Sequence, residues 1–198
     1  DEIDVLSFGT LSLLYEPGAS MYAALLHRAH AAGKLTMVDP NIRPAAIDST
    51  SGDITADGFR LRFRTWLPAV DILKVSEDDS HWLGLGEEGT TVDDWLEQGV
   101  TAVVMTRGGD GISVFTATGE YSVPGVPVDV VDTIGAGDTV HGALLSFLVR
   151  ESIVTSGTLG EMDREDWERA LRFAARAAAV TVSRPGADPP WASEAPRD

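Results

Sequence analysis

Short apolar runs alternate with longer amphipathic or polar stretches along most of the chain. Ile3 to Phe8 reads as a buried strand running into the turn residues Gly9 and Thr10; Pro17-Gly18 then breaks the chain before Ser20 caps a helix from Met21 to about Ala31. Gly33 ends that helix and Leu35 to Val38 is the next short strand, which together predict a β-α-β unit with parallel strands. Ala45 to Gly58 is polar and turn-rich, while Phe59 to Leu67 mixes arginines with large apolar residues as a surface helix would. Asp71 to Val75 predicts a third strand, and Thr91 caps a short helix ending near Gly99. Thr101 to Thr106 predicts a central strand. A glycine turn joins it to a hairpin, Ile112 to Thr116 with Glu120 to Val123 about Gly119, which makes the sheet mixed.

Val126 to Val131 is a β-rich run that leads into an apolar helix reaching about Arg150. Ile153 to Gly160 is a small-residue connector, and Asp163, with Asp166 three residues on, caps a last helix. Its buried stripe is Trp167, Leu171, Ala174 and Ala178, and its alanines allow close approach of a sheet or of a flat adenine ring, core packing being the plainer role. Strands alternating with helices in this way predict one α/β domain.

The helix after Val131 opens on Asp132-Thr133-Ile134-Gly135-Ala136-Gly137-Asp138. Amides at a helix start lack carbonyl partners, glycines admit an anion close to the backbone, and the helix dipole adds about half a positive charge there. Gly135, Ala136 and Gly137 are therefore candidates for an anion cradle. Asp138 at its edge could accept a proton from an alcohol attacking a phosphoryl group. The plain alternative is that Asp138 merely favours a helix start, worth about 0.3–1 kcal/mol.

Other candidates fall where α/β sheets place ligands, at the carboxyl ends of strands. Asp39-Pro40-Asn41-Ile42-Arg43-Pro44 offers an amide side chain for a sugar hydroxyl and a guanidinium for a phosphoryl group, against the simpler reading of a proline-bounded turn. Lys74, near the end of the third strand, could meet nucleotide phosphates, and a carboxylate beyond it could hold Mg²⁺ directly or through water. Gly84 to Gly89 spells Gly-x-Gly-x-x-Gly but places two glutamates where a pyrophosphate would sit and follows no strand, so it is a connector. Arg60, Arg62 and Arg64 read as one solvated helix face. The four histidines form no metal-ligand constellation; His141, one turn beyond Asp138, could approach the same cleft, and periodicity leaves its direction open.

Composition narrows the function classes. With 31 acidic against 15 basic residues the net charge is −16, which repels nucleic acid and anionic membranes, so an anionic ligand must be held by local features. The absence of cysteine removes disulfides and thiolate metal sites and fits a reducing compartment. No apolar run has membrane-spanning length and no basic-plus-apolar leader is seen, so the expected location is the cytoplasm.

The run from Asp132 to Leu145 resembles the C-terminal signature of the ribokinase family, the phosphofructokinase-B type carbohydrate kinases, with Val140 where that family usually has Phe. The resemblance implies that Asp138 is the catalytic base and that Gly135, Ala136 and Gly137 form the anion hole. Asp39-Pro40-Asn41-Ile42-Arg43 is similar to a motif of fructokinases and 2-keto-3-deoxygluconate kinases, which places Asn41 at the sugar and Arg43 near the transferring phosphate. Ser76 and Asp79 stand where the family has Asn-x-x-Glu, so Asp79 becomes a candidate Mg²⁺-supporting carboxylate, one methylene short. Thr106, Gly108 and Gly111 match the turn on the nucleotide side. Thr181 to Ala187 resembles the closing loop, which makes Asp132, Ile134, Thr181, Arg184 and Gly186 candidate ligands of a monovalent cation such as K⁺, with Pro190 replacing a hydroxyl ligand of some members.

The implied fold is a three-layer α/β/α sandwich with a mostly parallel sheet. The implied reaction is ATP-dependent phosphorylation of a sugar primary hydroxyl, fructokinase-like, with ATP and Mg²⁺ as cofactors. A kinase of the same family acting on 2-keto-3-deoxygluconate or a nucleoside, and a non-catalytic nucleotide- or sugar-binding remnant, are the alternatives. The resemblance spans the whole chain but only the later part of a family member, leaving out the first strands, the β-lid and a Gly-Gly sugar-binding signature. On that reading the chain is the nucleotide and phosphoryl-transfer half of a kinase domain, and a sheet edge is left for a missing segment or partner chain to cover.

Overall fold

The structure, a computed structural model, describes residues 3–9, 13–49 and 55–194; the expected turn residue Thr10 and most of the polar stretch after Ile47 lie outside the described residues. Strands β1 (Val5–Gly9), β2 (Leu35–Asp39), β3 (Ile72–Ser76), β4 (Ala102–Thr106), β5 (Ile112–Thr116) and β6 (Gly119–Val123) form one sheet in that spatial order. β1 to β4 are parallel, and β5 and β6 return as the antiparallel hairpin that the Gly119 turn predicted.

Helices cover both faces. Between the parallel strands run α1 (Gly18–Ala31), α2 (Pro44–Ser49), α3 (Ala56–Trp66), α4 (Glu77–Trp82) and α5 (Val92–Glu97). Phe59, Phe63 and Trp66 recur at helical spacing along α3 and bury with Trp95 of α5 as edge-to-face rings, against Val38, Leu73, Val75 and Val103 of the sheet. After the hairpin, α6 (Ala136–Arg150), the short α7 (Ser156–Gly160) and α8 (Arg164–Val182) return to the opposite face. There Phe147, Trp167 and Leu171 pack on Met37, Ile72 and Val104. The expected three-layer sandwich is present.

Strand alternation decides which face each polar residue meets. In β3, Leu73 and Val75 serve the first core, so Lys74 between them points to the α6 and α8 side; Asp39, following Val38, does the same from β2. Two polar residues thus enter the second face at its ligand end.

Several local expectations are revised. Ser20 does not cap α1, which starts at Gly18; instead its amide and hydroxyl both donate to Glu16. In β1, Phe8 is buried while Ser7 and Gly9 are exposed, because β1 is an edge strand with one neighbour. The valines from Val126 to Val131 form no strand: Pro124 and Pro127 supply no amide to a ladder, and Val130 and Val131 are exposed. The arginines of α3 are more engaged than a solvated face, with Arg60 Nε donating to the Trp82 carbonyl at 2.7 Å and Arg62 3.2 Å from Glu16. Thr91 and Asp163 cap their helices as expected, each in a capping box, with Asp94 and Asp166 respectively.

Candidate active site

The start of α6 is built around Gly135, which caps the helix in the left-handed conformation at φ 79°. A Cβ there would stand 2.8 Å from the Ala187 Cβ, so both the turn and its packing require glycine. The Ala136 amide donates to the Thr133 carbonyl at 3.2 Å, and the Thr139 amide to the Gly135 carbonyl at 2.8 Å. Ala136 is therefore not the open donor that the motif suggested. The amides of Gly135, Gly137 and Asp138 make no hydrogen bond with any described residue, which leaves them open at the dipole's positive end.

Beneath this turn lies a buried ion pair. β2 and β3 pair in register at Val38 and Leu73, so Asp39 and Lys74 fall side by side one step further on, with Lys74 Nζ 2.7 Å from Asp39 Oδ2. Both are buried, and the ammonium would be only 3.1 Å from a Cβ on Gly137. Lys74, the candidate for nucleotide phosphates, lies beneath this turn with its charge opposed by Asp39. Asp39 itself carried no individual role in the sequence reading. Its signal was an acid closing a strand buried along its whole length, beside a lysine in the next strand.

His141 joins this group. Its Nε2 is 2.6 Å from Ser7 Oγ, and its Nδ1 is 3.8 Å from Asp39 Oδ2. Burial lowers the imidazole pKa, with Asp39 and Asp138 acting against that shift and Lys74 with it. The ring is directed to the ligand edge, which periodicity had left open.

Besides a cavity of about 430 Å³ against Gly135, Asp138, Thr139 and Ala187, two cavities flank the first turn of α6. The first, about 250 Å³, is lined by Ser7, Gly9, Asp39, Asn41, Asp138 and His141. The second, about 330 Å³, takes Thr106, Gly108 and Gly111 from the turn after β4, Ala136 and Gly137 from α6, and an apolar wall including Val126, Val128 and Ala178. Asp138 thus lines the first of these and the 430 Å³ cavity, while Ala136 and Gly137 line the second. Gly111, at φ 109°, admits no side chain, because a Cβ would come within 2.1 Å of the Val123 carbonyl oxygen. The expected nucleotide-side glycines and the expected catalytic helix meet at one place.

The remaining candidates divide. Asn41 lines the first cavity and adopts a positive φ of 41°. Arg43 is exposed and turned back on its own loop, donating to the carbonyls of Asn41 and Ile42 at 3.1 and 3.0 Å. Asp79, the candidate Mg²⁺-supporting carboxylate, latches two segments together. Its Oδ1 accepts from the Ile42 amide at 2.8 Å, and its Oδ2 accepts from the Ser76 amide and hydroxyl, so both oxygens are occupied by the protein's own donors. Ser76 is the cap of α4 and is occupied in the same box. No group of three His, Cys, Asp or Glu among the described residues could hold a metal; a lone carboxylate such as Asp79 would support Mg²⁺ only together with waters and the phosphates of a nucleotide.

The residues proposed for a monovalent cation do come together. Asp132 Oδ1 accepts from the Ile134 amide and Oδ2 from the Gly186 amide, both at 2.9 Å, bonds that hold its pKa down and clamp the two loops. Thr181 is buried, its hydroxyl 2.9 Å from that of Thr139. The Arg184 side chain turns away to Asp188 and Glu194.

This arrangement agrees with the comparison to known sequences, in which residues 1–194 match the pfkB family carbohydrate kinase. The chain belongs to that family. It is 35% identical over 173 residues to a fructokinase of Rhizobium leguminosarum bv. trifolii, covering 87% of this chain and 50% of that protein. It is 33% identical over 188 residues to fructokinase-2 of Zea mays, covering 93% of this chain and 52% of that one. The chain thus spans about half the length of these relatives.

Among solved structures, an ATP-bound fructokinase from Xylella fastidiosa superposes with a TM-score of 0.81 at 26% identity, over 92% of this chain and 56% of that one. An aminoimidazole riboside kinase from Salmonella enterica, complexed with aminoimidazole riboside and an ATP analogue, gives 0.75 at 26% identity, over 92% and 57%. Among the described residues of this family member, no helix is long and apolar enough to cross a membrane.

Proposed function

We propose that the chain is the nucleotide-binding and phosphoryl-transfer half of an ATP-dependent, fructokinase-like sugar kinase. The observation that carries this reading is the first turn of α6, where open amides and the Asp138 carboxylate stand between two cavities. The apolar wall and glycine turn of the larger cavity suit a flat base and its phosphates. The smaller cavity suits a polyhydroxylated acceptor.

The chemistry assigned to the residues is a proton transfer and an anion clamp. Asp138 takes the hydrogen of the acceptor hydroxyl as its oxygen forms a bond to the γ-phosphorus. The bond from that phosphorus to the bridging oxygen of ADP breaks, and the amides of Gly137 and Asp138 donate to the phosphoryl oxygens. Lys74 beneath Gly137 keeps the turn from collapsing into the sheet. Arg43 would reach the phosphates only after leaving its own loop carbonyls.

The fructokinase relatives favour a ketohexose as acceptor, and the riboside kinase likeness makes a nucleoside the second class to test. The unpaired side of β1, with exposed Tyr22 packed edge-on to Phe8, supports a further segment or partner chain along that edge.

The test is ADP release from ATP with fructose and with a ribonucleoside, for the chain and its Asp138→Asn variant. Loss of turnover by about 10²–10⁴-fold in the variant is expected for removal of a general base. Equal turnover by the two proteins would refute the proposed base.

A further inference from the structure

Beside the acceptor-side cavity lie two buried polar atoms that no described residue satisfies. Asp39 Oδ2 is bonded to Lys74, whereas its buried Oδ1 makes no hydrogen bond; His141 Nδ1 is likewise buried and unbonded. Asp39 is about 95% buried, with 5% of its surface exposed, and it lines the same cavity as Ser7, Asn41 and Asp138. An orphaned buried carboxylate oxygen costs free energy unless a ligand or water completes it.

The imidazole sets the character of this cavity. His141 follows Asp138 by three residues, so both side chains leave the same face of α6. A neutral ring carries one proton, and the field of the Asp39 carboxylate at 3.8 Å favours that proton on Nδ1. Nε2 is then an acceptor, and at 2.6 Å it takes the Ser7 hydroxyl hydrogen. Ser7 Oγ is left with lone pairs only. Ser7 Oγ and the Asp138 carboxylate therefore present acceptors to the cavity they share, with the Asp39 carboxylate buried behind them, which repels an anion and recognises hydroxyl donors.

We propose that Ser7 and His141 form a hydroxyl-recognition subsite beside Asp138, in which His141 orients Ser7 to accept from a second hydroxyl of a polyol while Asp138 receives the reacting one. Ser7 contacts the ligand and sets specificity; His141 is a positioning residue acting through it. The proposal deepens the kinase reading above and rests on that reading for the role of Asp138.

The test pairs binding with spectroscopy on the chain itself. Fructose and ATP are titrated separately by calorimetry into wild type, Ser7→Ala and His141→Asn, and the ¹⁵N-imidazole spectrum of wild type reports the tautomer. Expected are an Nδ1–H tautomer, and fructose binding weakened about three- to tenfold by Ser7→Ala, the worth of one neutral hydrogen bond, with ATP binding unchanged. His141→Asn is expected to weaken fructose binding in the same direction. Fructose affinity unaltered in Ser7→Ala, an Nε2–H tautomer, or no fructose binding by wild type up to about 0.1 M would each overturn the subsite. Fructose binding of the expected pattern without phosphoryl transfer would instead overturn the kinase reading and leave the subsite standing.

Discussion

The Lys74 ammonium and the backbone of Gly137 meet so closely that a Cβ on the glycine would lie 3.1 Å from the nitrogen, which Asp39 holds at 2.7 Å. One buried pair from the sheet therefore supports the turn that presents the open amides. Its position follows from strand register, because Asp39 and Lys74 are neighbours on the face that α6 covers.

Removing one partner of this pair leaves the other charged and buried. Lys74→Met is expected to lose about 3–5 kcal/mol of stability, read as a lower urea midpoint at unchanged slope. Asp39→Asn combined with Lys74→Met should recover a large part of that loss. A single variant as stable as wild type would show that the pair is not held as described.

Gly135→Ala and Gly137→Ala separate backbone strain from packing. Gly135 has φ 79° and its Cβ would meet Ala187, so its alanine variant is expected to lose about 1–3 kcal/mol in thermal or urea denaturation. The Gly137 variant has no such backbone penalty and instead pushes on Lys74. Its expected signature is weakened ATP binding by calorimetry with a smaller stability loss. Stability losses in the reverse order would contradict this account.

Stability should fall as pH is lowered through the range beginning near 6.5. Burial depresses the His141 pKa below the ordinary histidine value of 6.5, so the unfolded chain takes up that proton first and is favoured as pH falls. The groups facing the ring are Ser7, Asp39, Lys74 and Asp138. Thermal midpoints measured between about pH 7.5 and pH 5.5 should decline in wild type and decline less in His141→Asn. Asp132, whose pKa is lowered by bonds from the Ile134 and Gly186 amides, contributes in a separate window, below the ordinary aspartate value of 3.8. Parallel pH profiles for the two proteins would remove His141 from the explanation.

Asp79 joins the β2 loop to the start of α4 through its bonds with Ile42 and Ser76. Asp79→Ala is expected to cost about 1–3 kcal/mol and to speed hydrogen exchange at the Ile42 amide. The Mg²⁺ dependence of ATP binding should not change. A raised Mg²⁺ requirement in that variant would return Asp79 to the metal.

The sequence by itself determined the alternation of strands and helices, the hairpin at Gly119, the capping boxes and the glycine-to-aspartate start of α6, because each depends on neighbours within a few residues. The glycine turn after β4 was legible for the same reason, and its nucleotide role was implied only by the family resemblance. Tertiary structure decided what those parts do to one another. It folded Arg43 onto its own loop, occupied Asp79 with the Ile42 amide, and sank Lys74 onto Asp39. It also brought His141 to Ser7 across 134 positions of chain. Such partners are set by sheet register and helix rotation, and local pattern carries no record of either.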